Sequence, residues 1–480
     1  MHAGAAARSA RHPRTRSGRP PHGPRPCPPR SGRPPPGARS PARRGRYPLR
    51  APPPLVHRCE TPLRTRPSRY RPAVAKTKIR LGSEFTGLWL SNAVANLGDG
   101  LSVAAGPLLL ASLTSDPLLV AASLFAQQAP WLLFSPLGAA LLDRGPDRRL
   151  LLTALTTTRC AVVAALAVLV WLDLATVPVV YALLFTLGAA GALADGAISA
   201  LLPALVPAAD LGAANSRVSA GTLAGSTLLG PALGAWLFAV AAAAPFTVEA
   251  LGFAVAAVLL RGRRQAQAPP IEVVTRAAPP PPPSLAEGLR WLWHNRLLRL
   301  LALALLLMNM TLYGFLGVLV LYARERLDAG PAAFGLLLAA TAAGGVLVVP
   351  LAPRLVDRFG PVPLLRAGLV VETLAHVALA LVRVFPAAIA VLVAFGAHSV
   401  LWGTITRTAR ARVVPDRLRR SVNGAFLLFS SGGAALGAIQ GGLVARAFGV
   451  TGPLWVAAGV VGLLSVLMWQ LLAVVGGEDG

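Results

Sequence analysis

Charged residues are scarce in this sequence. They form 14% of its 480 residues, whereas a soluble globular protein carries about 25%. Acids are the rarest, because 19 aspartates and glutamates face 46 lysines and arginines, while hydrophobic residues make up 54% of the chain. This composition excludes an ordinary soluble domain and favours a protein that crosses a membrane several times.

Cysteines and catalytic motifs are also few. The three cysteines are Cys27, Cys59 and Cys160, and their spacing fits neither a zinc site nor a disulfide framework. The sequence lacks a phosphate-binding loop and a nucleophile elbow. These absences disfavour an enzyme and an ATP-driven pump. We expect no catalytic residue, no metal site and no cofactor.

The excess of positive charge lies mainly in the first 80 residues. This segment holds 21 basic residues and a single acid, Glu60, among many prolines, glycines and serines. Such a composition buries too little apolar surface to fold, so we predict a disordered tail at 1–80. It is either a segment that contacts phosphates or anionic lipid, or the product of a start codon assigned too far upstream. Because the charge belongs to the tail, no nucleic-acid partner is expected.

Twelve long apolar runs follow the tail. A helix needs roughly 20 mostly apolar residues to cross a bilayer, and backbone groups inside lipid must bond within their own helix. The runs therefore predict an all-α integral membrane protein with twelve spans. The spans are predicted at 85–113, 117–141, 149–172, 176–200, 218–241, 245–261, 298–322, 332–353, 364–383, 386–406, 422–445 and 452–474.

The connections between spans alternate in arginine content. Every second connection carries arginines, as between Arg407 and Arg420, whereas the connections between them carry few. Positive residues stay on the cytoplasmic side of a membrane. The alternation predicts that both termini are cytoplasmic and that the chain is a multi-pass protein of the plasma membrane, the inner membrane of the cell.

The longest internal connection, at 262–297, separates two sets of six spans. It contains five consecutive prolines, Pro279 to Pro283, which form a stiff spacer. Its end, "SLAEGLRWLWHNRLLRLL", is either an amphipathic helix on the cytoplasmic membrane surface or an extension of the seventh span. The predicted organisation is a tail at 1–80, six-helix bundles at 81–261 and 298–475, and a cytoplasmic linker at 262–297.

Short patterns repeat in the two halves about 210 residues apart. Asp143-Arg144 after the second span corresponds to Asp357-Arg358 after the eighth, and "VPAADLGAAN" corresponds to "VPDRLRRSVN". Such a repeat indicates duplication of one six-helix unit. Two parallel halves are the plan of a secondary transporter whose substrate site lies between them, near the bilayer midplane.

Several stretches resemble the major facilitator superfamily. "LLDRGPDRR" is similar to the superfamily's loop between helices 2 and 3, although Ala139 replaces a usual glycine, and "LLGPALGAWL" is similar to the antiporter motif on helix 5. With "EGLRWLWHNRLLRLL" they resemble the branch of macrolide and siderophore exporters. The resemblance covers about residues 80–475, and helix 4 lacks the superfamily's arginine motif. It implies a major facilitator fold and proton-coupled efflux of the drug-resistance type.

In that superfamily the charged loop between helices 2 and 3 stabilises the outward-open state. The resemblance therefore implies a cytoplasmic latch, whose arginines pair with acids or helix C-termini across the seam between the halves. Its members would be Asp143, Arg144, Arg148, Arg149, Asp357 and Arg358. The alternative is that these arginines only set the topology.

Ionisable residues inside the predicted spans are candidates for proton coupling, because burying a charge there costs at least ~2.5 kcal/mol. They are Asp99, Asp195, Glu249 and Glu372. Asp99 is the first choice, since it lies mid-way along a helix that lines the superfamily's cavity. A structural hydrogen bond is the alternative for each. Arg159 is expected to pair with one of them, but the sequence does not say which.

Polar and aromatic residues on the cavity helices are candidate contacts for an amphiphilic cargo. They are Asn92, Asn96, Asn309, Tyr313, His398 and Trp402. Asn92, Asn96 and Asp99 recur at helical spacing and form one polar stripe. His398 is either a ligand for substrate or protons or a histidine of the core.

Glycines recur at matching places in the fifth and eleventh spans. Small residues at such spacing let helices approach and slide, and a proline permits a bend. The predicted gating residues are Gly225, Gly230, Pro231, Gly234, Gly437 and Gly441. Plain packing is the alternative.

Taken together, these features predict a monomeric secondary transporter that exports small amphiphilic molecules in exchange for protons by alternating access. Its partners would be a small-molecule substrate, protons and membrane lipid. A lipid flippase or small-molecule importer on the same fold is the nearest alternative. A membrane sensor or scaffold without transport is the most distant one.

Overall fold

The structure, a computed structural model, describes residues 82–143, 147–207, 209–261 and 284–476, without the side chains of 135–143 and 470–476. Within these ranges the chain is helical between short connections and contains no β-strand. The predicted tail at 1–80 and the proline run lie outside the described residues.

Fifteen α-helices occur in the described ranges. The first half contains α1 (Ser83–Leu113), α2 (Pro117–Asp143), α3 (Arg148–Trp171), α4 (Val177–Leu205), α5 (Leu211–Thr222), α6 (Gly230–Val240) and α7 (Ala244–Arg261). The second half contains α8 (Leu285–His294), α9 (Arg296–Arg326), α10 (Pro331–Val348), α11 (Ala352–Phe359), α12 (Pro361–Leu381), α13 (Phe385–Val413), α14 (Arg419–Phe448) and α15 (Gly452–Gly476).

Twelve helical segments of the described chain are long and apolar enough to cross a membrane. They coincide with the predicted spans, so the all-α, twelve-span fold class is confirmed. The fifth span is not one regular helix, because a π-helical stretch, Leu223–Leu229, joins α5 to α6. Short π-helical stretches are rare and occur often at functional sites.

The helices pack as two bundles. In the N-terminal bundle α1 packs against α6, α7 and the π-helical stretch, and α3 packs against α4 and α7. In the C-terminal bundle α9 packs against α14 and α15, and α13 packs against α10 and α12. The bundles meet along two seams, one between α2 and α14 and the other between α6 and α10.

The seam contacts gather at one end of the bundles. We call the end that carries the linker the linker end and the opposite one the far end. Gly442 lies against Ala121 across the first seam, and Gly335 lies against Ala235 across the second. Residues 104–110 of α1 and 317–323 of α9 are all buried toward the far end, whereas burial alternates in the linker-end halves of both helices. The bundles are therefore closed against each other at the far end.

The chain before α9 forms a separate helix, α8, rather than an extension of the seventh span. Asn295 between the two helices is extended (φ −89°, ψ 110°), and its side chain caps α9 by accepting from the backbone nitrogen of Leu298 at 3.0 Å. Gly288 lies directly against the backbone of Ser421 on α14. Close packing thus fixes α8 to the C-terminal bundle.

Candidate functional site

A single buried arginine is the centre of a charged cluster in the N-terminal bundle. Arg159 on α3 is only 5% exposed. Its guanidinium forms an ion pair with the carboxylate of Asp99 on α1 and lies over the ring of Phe253 on α7, 4.2 Å from the ring centre. The partner of Arg159 that the sequence left open is thus Asp99.

Two further acids surround the same arginine. Glu249 on α7 is fully buried, accepts a hydrogen bond from Ser102 on α1, and lies against Gly98. Asp195 on α4 and Glu249 both interact electrostatically with Arg159. One carboxylate oxygen of Glu249, Oε1, has no hydrogen-bond partner among the described residues. Three of the four predicted coupling acids therefore surround one cation.

The three acids differ in their access to solvent. Asp195 is exposed, the side chain of Asp99 is 34% exposed, and Glu249 is closed off. The asparagines of the predicted stripe are buried, and Asn96 donates to the side-chain oxygen of Asn92 at 3.0 Å. The two amides therefore bond to each other, and only Asp99 of the stripe is partly open.

A second buried cluster lies in the C-terminal bundle. Glu372 on α12 faces His398 on α13, with Oε2 and Nε2 3.3 Å apart. His376, one turn after Glu372, hydrogen-bonds the backbone oxygen of Glu372 through Nδ1 at 2.8 Å. The ring of Phe395 contacts both imidazoles edge to face. The fourth predicted coupling acid is thus paired with a histidine, in the bundle that does not contain Arg159.

A hydrogen bond between two side chains joins the bundles beside the first seam. The amide of Gln128 on α2 donates to the hydroxyl oxygen of Tyr313 on α9 at 3.0 Å. Asn309, one turn earlier on α9, donates to its own helix at the backbone oxygen of Leu305. Sequence reasoning missed Gln128, although two adjacent glutamines in an apolar span were an available signal.

Four of the predicted cavity residues do not line an open cavity in this conformation. Trp402 is 5% exposed and packs in the apolar core of the C-terminal bundle, and His398 is buried beside it. Asn92 and Asn96 are buried in the N-terminal bundle. Hydropathy alone does not tell which face of a helix turns toward its own bundle. Contact of these four with a substrate stays a prediction.

The predicted gating glycines lie at helix crossings inside each bundle. A methyl group on any of them would collide with the backbone of the neighbouring helix. The crossings are Gly225 with Leu97, Gly230 with Gly100, Gly234 with Leu101, Gly437 with Met310 and Gly441 with Gly314. Pro231 is the second residue of α6 and follows the π-helical stretch without a break, so it removes one hydrogen bond inside the fifth span. The structure thus explains these residues as close packing, and their gating role stays a prediction.

The first part of the predicted latch lies partly outside the described residues, namely Arg144 and the side chain of Asp143. Arg148 donates to the backbone oxygen of Ala200 on α4 at 3.1 Å, and Arg149 donates to that of Leu260 on α7 at 3.2 Å. Cations are favoured near the C-terminal ends of helices. Both arginines bind within their own bundle, whereas the predicted latch contacts cross the seam between the bundles. Their latch role stays a prediction.

The second part of the predicted latch is Asp357 and Arg358 on α11. Both are exposed, and the guanidinium of Arg358 lies 5.4 Å from the ring centre of its neighbour Phe359. Their role as a latch stays a prediction.

Comparison with known proteins identifies the family to which this chain belongs. Residues 81–479 match the family described as transmembrane secretion effector. The chain belongs to that family, within the major facilitator superfamily. No curated protein matches the sequence.

Solved structures of other transporters resemble this one. A point mutant of the nucleoside transporter NupG aligns with a TM-score of 0.66 and 12% identity, over 81% of this chain and 99% of that chain. A bacterial homologue of the iron transporter ferroportin, in its inward-facing state, aligns with a TM-score of 0.61 and 20% identity, over 80% and 98%. A bacterial homologue of the human lysosomal transporter Spinster, inward-facing and occupied, aligns with a TM-score of 0.63 and 14% identity, over 81% and 96%. At these identities the likeness establishes the fold of this transporter, and superfamily membership is confirmed.

Polar contacts reinforce the closed far end of this transporter. Asp116, just before α2, lies 3.7 Å from Arg446 on α14, and Arg324 on α9 donates to the backbone oxygen of Ala111 on α1 at 3.4 Å. Exposed ion pairs contribute about 0–1 kcal/mol each. The half-buried bond between Gln128 and Tyr313 is the better candidate for a measurable contribution.

Tyr313→Phe is expected to favour opening at the far end. Loss of one hydrogen bond of about 1 kcal/mol shifts a two-state equilibrium about fivefold. Spin labels at positions 115 and 451, in a variant without native cysteines, would report the distance between the far ends of the bundles. Tyr322→Phe is the matched control, because the hydroxyl of Tyr322 bonds Leu379 inside one bundle. An unchanged distance distribution in Tyr313→Phe would contradict the prediction.

Proposed function

We propose that this transporter exports small amphiphilic molecules in exchange for protons, and that its linker end faces the cytoplasm of the cell whose plasma membrane holds it. The observation that carries the proposal is the cluster of one buried arginine and three acids on α1, α4 and α7. The description of the family as a secretion effector supports the outward direction.

Charge balance makes the cluster a proton-binding site. Arg159 neutralises one carboxylate, so ionised Asp99 and Glu249 together would leave a net charge of −1 inside the bundle, with the exposed Asp195 beside them. A buried charge without a partner is costly. Protons on the acids that Arg159 does not neutralise remove that cost, and Glu249 with Ser102 can hold one as a neutral hydrogen-bonded pair. The number of bound protons then depends on which acid Arg159 faces.

Asp99 is the residue that exchanges the proton. Its side chain is partly exposed, whereas that of Glu249 is fully buried. When Asp99 takes up a proton, its ion pair with Arg159 is lost, and the guanidinium is free to turn toward Asp195 or Glu249. A proton at Asp99 therefore changes the contacts between α1, α3, α4 and α7, which is the physical link between proton binding and helix movement.

Alternating access follows from the closed far end. The seams hold the bundles together there through small residues and the Gln128–Tyr313 bond. Cargo enters from the linker end, where polar surface such as Asn309 suits an amphiphile. Opening of the far end requires a matching closure at the linker end, and the latch residues from Asp143 to Arg149 and at Asp357-Arg358 are placed to stabilise it.

An efflux assay tests the proposal. The chain is expressed in a host that lacks its main drug exporters, and accumulation of a panel of macrolides, siderophores and cationic dyes is compared for wild type and Asp99→Asn. The wild type should lower accumulation of at least one compound, and Asp99→Asn should abolish that effect. Asp173→Asn is the matched control, because Asp173 is an exposed loop aspartate.

Each outcome of this assay has a defined meaning. Equal efflux by wild type and Asp99→Asn would remove Asp99 from the coupling step. Normal membrane expression without any effect on accumulation would overturn efflux of this cargo class, and would favour import or lipid transport on the same fold.

A further inference from the structure

A buried acid and a buried base face each other in the C-terminal bundle, outside the cluster around Arg159. Glu372 is 1% exposed and His398 is 8% exposed, and their Oε2 and Nε2 atoms are 3.3 Å apart. These two atoms and His398 Nδ1 have no well-oriented hydrogen bond to any described residue. Each group therefore has the other as its nearest polar neighbour.

Only one protonation state of this pair avoids a buried net charge. With one shared proton the pair is neutral, either as a carboxylic acid beside an imidazole or as a carboxylate beside an imidazolium. With no proton the pair carries −1, and with two protons it carries +1. Because an uncompensated charge inside a protein costs several kcal/mol, the closed pair retains one proton.

The surroundings offer no fixed counter-charge. His376 is the titratable group that interacts with both members, and its ring is held by the backbone oxygen of Glu372. The described parts of α10 and α15 contain no ionisable residue. The charged residues of α11, α12 and α13 lie toward the linker end, namely Arg354, Asp357, Arg358, Arg366, Arg407, Arg410 and Arg412. Arg326 on α9 bonds the backbone at the far end of α12, at Ala380 to Val382. The shared proton is therefore the charge that balances the pair.

Helix packing connects the pair to the seam between the bundles. His398 lies on α13, and α13 packs on α10 through glycines that permit direct backbone contact, Gly344 against Val393 and Gly396 against Thr341. α10 forms the second seam with α6. Movement at that seam thus reaches α13 through a rigid contact, and it can open or close the space around the pair.

We propose that Glu372 and His398 form a second proton-binding site, which holds one shared proton while the far end is closed and exchanges it with water when the seam between α6 and α10 moves. This inference rests on the proposed function, because it adds a titrating site to proton-coupled export. Each bundle then has its own proton site, and the transport cycle has two titrating steps.

A direct test uses the purified full-length transporter in lipid nanodiscs, with isotope-labelled histidine, and needs no cargo. The NMR signal of His398 is assigned by its loss in His398→Gln and is then followed as a function of pH. In Glu372→Gln the pH dependence of the His398 signal should differ from that of wild type, because the two groups share one proton. Glu325→Gln, at an exposed glutamate, should leave it unchanged. The same midpoint in wild type and Glu372→Gln would overturn the inference.

Glu372→Asp provides the same test should Glu372→Gln not fold. This variant keeps a carboxylate, but its side chain is shorter by one methylene group and the carboxylate lies farther from the imidazole. The midpoint of the His398 titration should therefore move toward that of Glu372→Gln. An unmoved midpoint in Glu372→Asp, together with unchanged transport, would assign the pair a purely structural role.

The pH dependence of efflux separates this inference from the proposed function. The plot of wild-type efflux against pH should show two titrating steps. Glu372→Gln and His398→Gln should each lose one step, and it should be the same step in both variants. Their double variant should resemble either single variant, because the two residues act as one unit. A wild-type profile in both variants would overturn the second site and leave Asp99 untouched, whereas efflux by Asp99→Asn would overturn the first site alone.

Discussion

Arg159→Gln is expected to abolish transport and to lower the yield of folded protein. It leaves Asp99 and Glu249 on neighbouring helices without their cation, and removal of one partner of a buried ion pair typically costs about 3–5 kcal/mol. Protonation of the acids would offset part of this cost. The variant would still lack the guanidinium that exchanges one acid partner for another. Efflux and the thermal unfolding midpoint in detergent measure the two effects.

Two variants control this experiment. Arg383→Gln removes an exposed arginine in the connection between α12 and α13, outside both the cluster and the predicted latch, and should leave transport near the wild-type level. The double variant Arg159→Gln/Asp99→Asn removes both members of the pair and should recover folded yield without recovering transport. Full transport by Arg159→Gln would contradict the coupling role of the cluster.

Gly437→Ala is expected to destabilise the contact between α9 and α14. The added carbon would lie 2.8 Å from the carbonyl carbon of Met310 on α9, which is far inside normal contact distance. Because backbone does not yield as a side chain does, α9 and α14 must separate. Overpacking of this kind costs about 1–3 kcal/mol, so the thermal midpoint and the folded yield should fall.

Gly432→Ala is the matched control in the same helix. Its added methyl would meet nothing within 4 Å, and alanine is favoured over glycine in a helix by up to about 1 kcal/mol. The control should therefore be neutral or stabilising. A neutral result for Gly437→Ala would mean that the two helices are not held at the observed distance.

The spans and the repeat were predictable because they depend on local composition. Twelve apolar runs of sufficient length predict twelve helices, whatever those helices contact in the fold. The recurrence of Asp143-Arg144 as Asp357-Arg358 is visible in the sequence itself. The family match at 81–479 begins where the predicted tail ends.

The pairing of charges was not predictable in the same way. Whether Arg159 meets Asp99, and whether Glu372 meets His398, depends on how far each helix is rotated about its axis. Asp99 and Arg159 are 60 residues apart, and no pattern in the sequence links them. Glu249 reaches the arginine because α7 packs against α1 and α3. Geometry between helices, and not hydropathy, decides these contacts.

The π-helical stretch in the fifth span contains one residue more than the matching part of the eleventh span. Asn215 and Asn423 are 208 positions apart, as are Gly225 and Gly433, but Gly230 and Gly437 are 207 apart. The spacing between matching residues of the two halves thus changes by one residue within Leu223–Leu229, where the helix widens to hold the extra residue. Without that widening, every residue from Gly230 onward would be turned by one helical position away from α1. Deletion of a single residue from this stretch should therefore restore a regular helix and the same crossing, whereas deletion of one residue from the equivalent part of α14 should not.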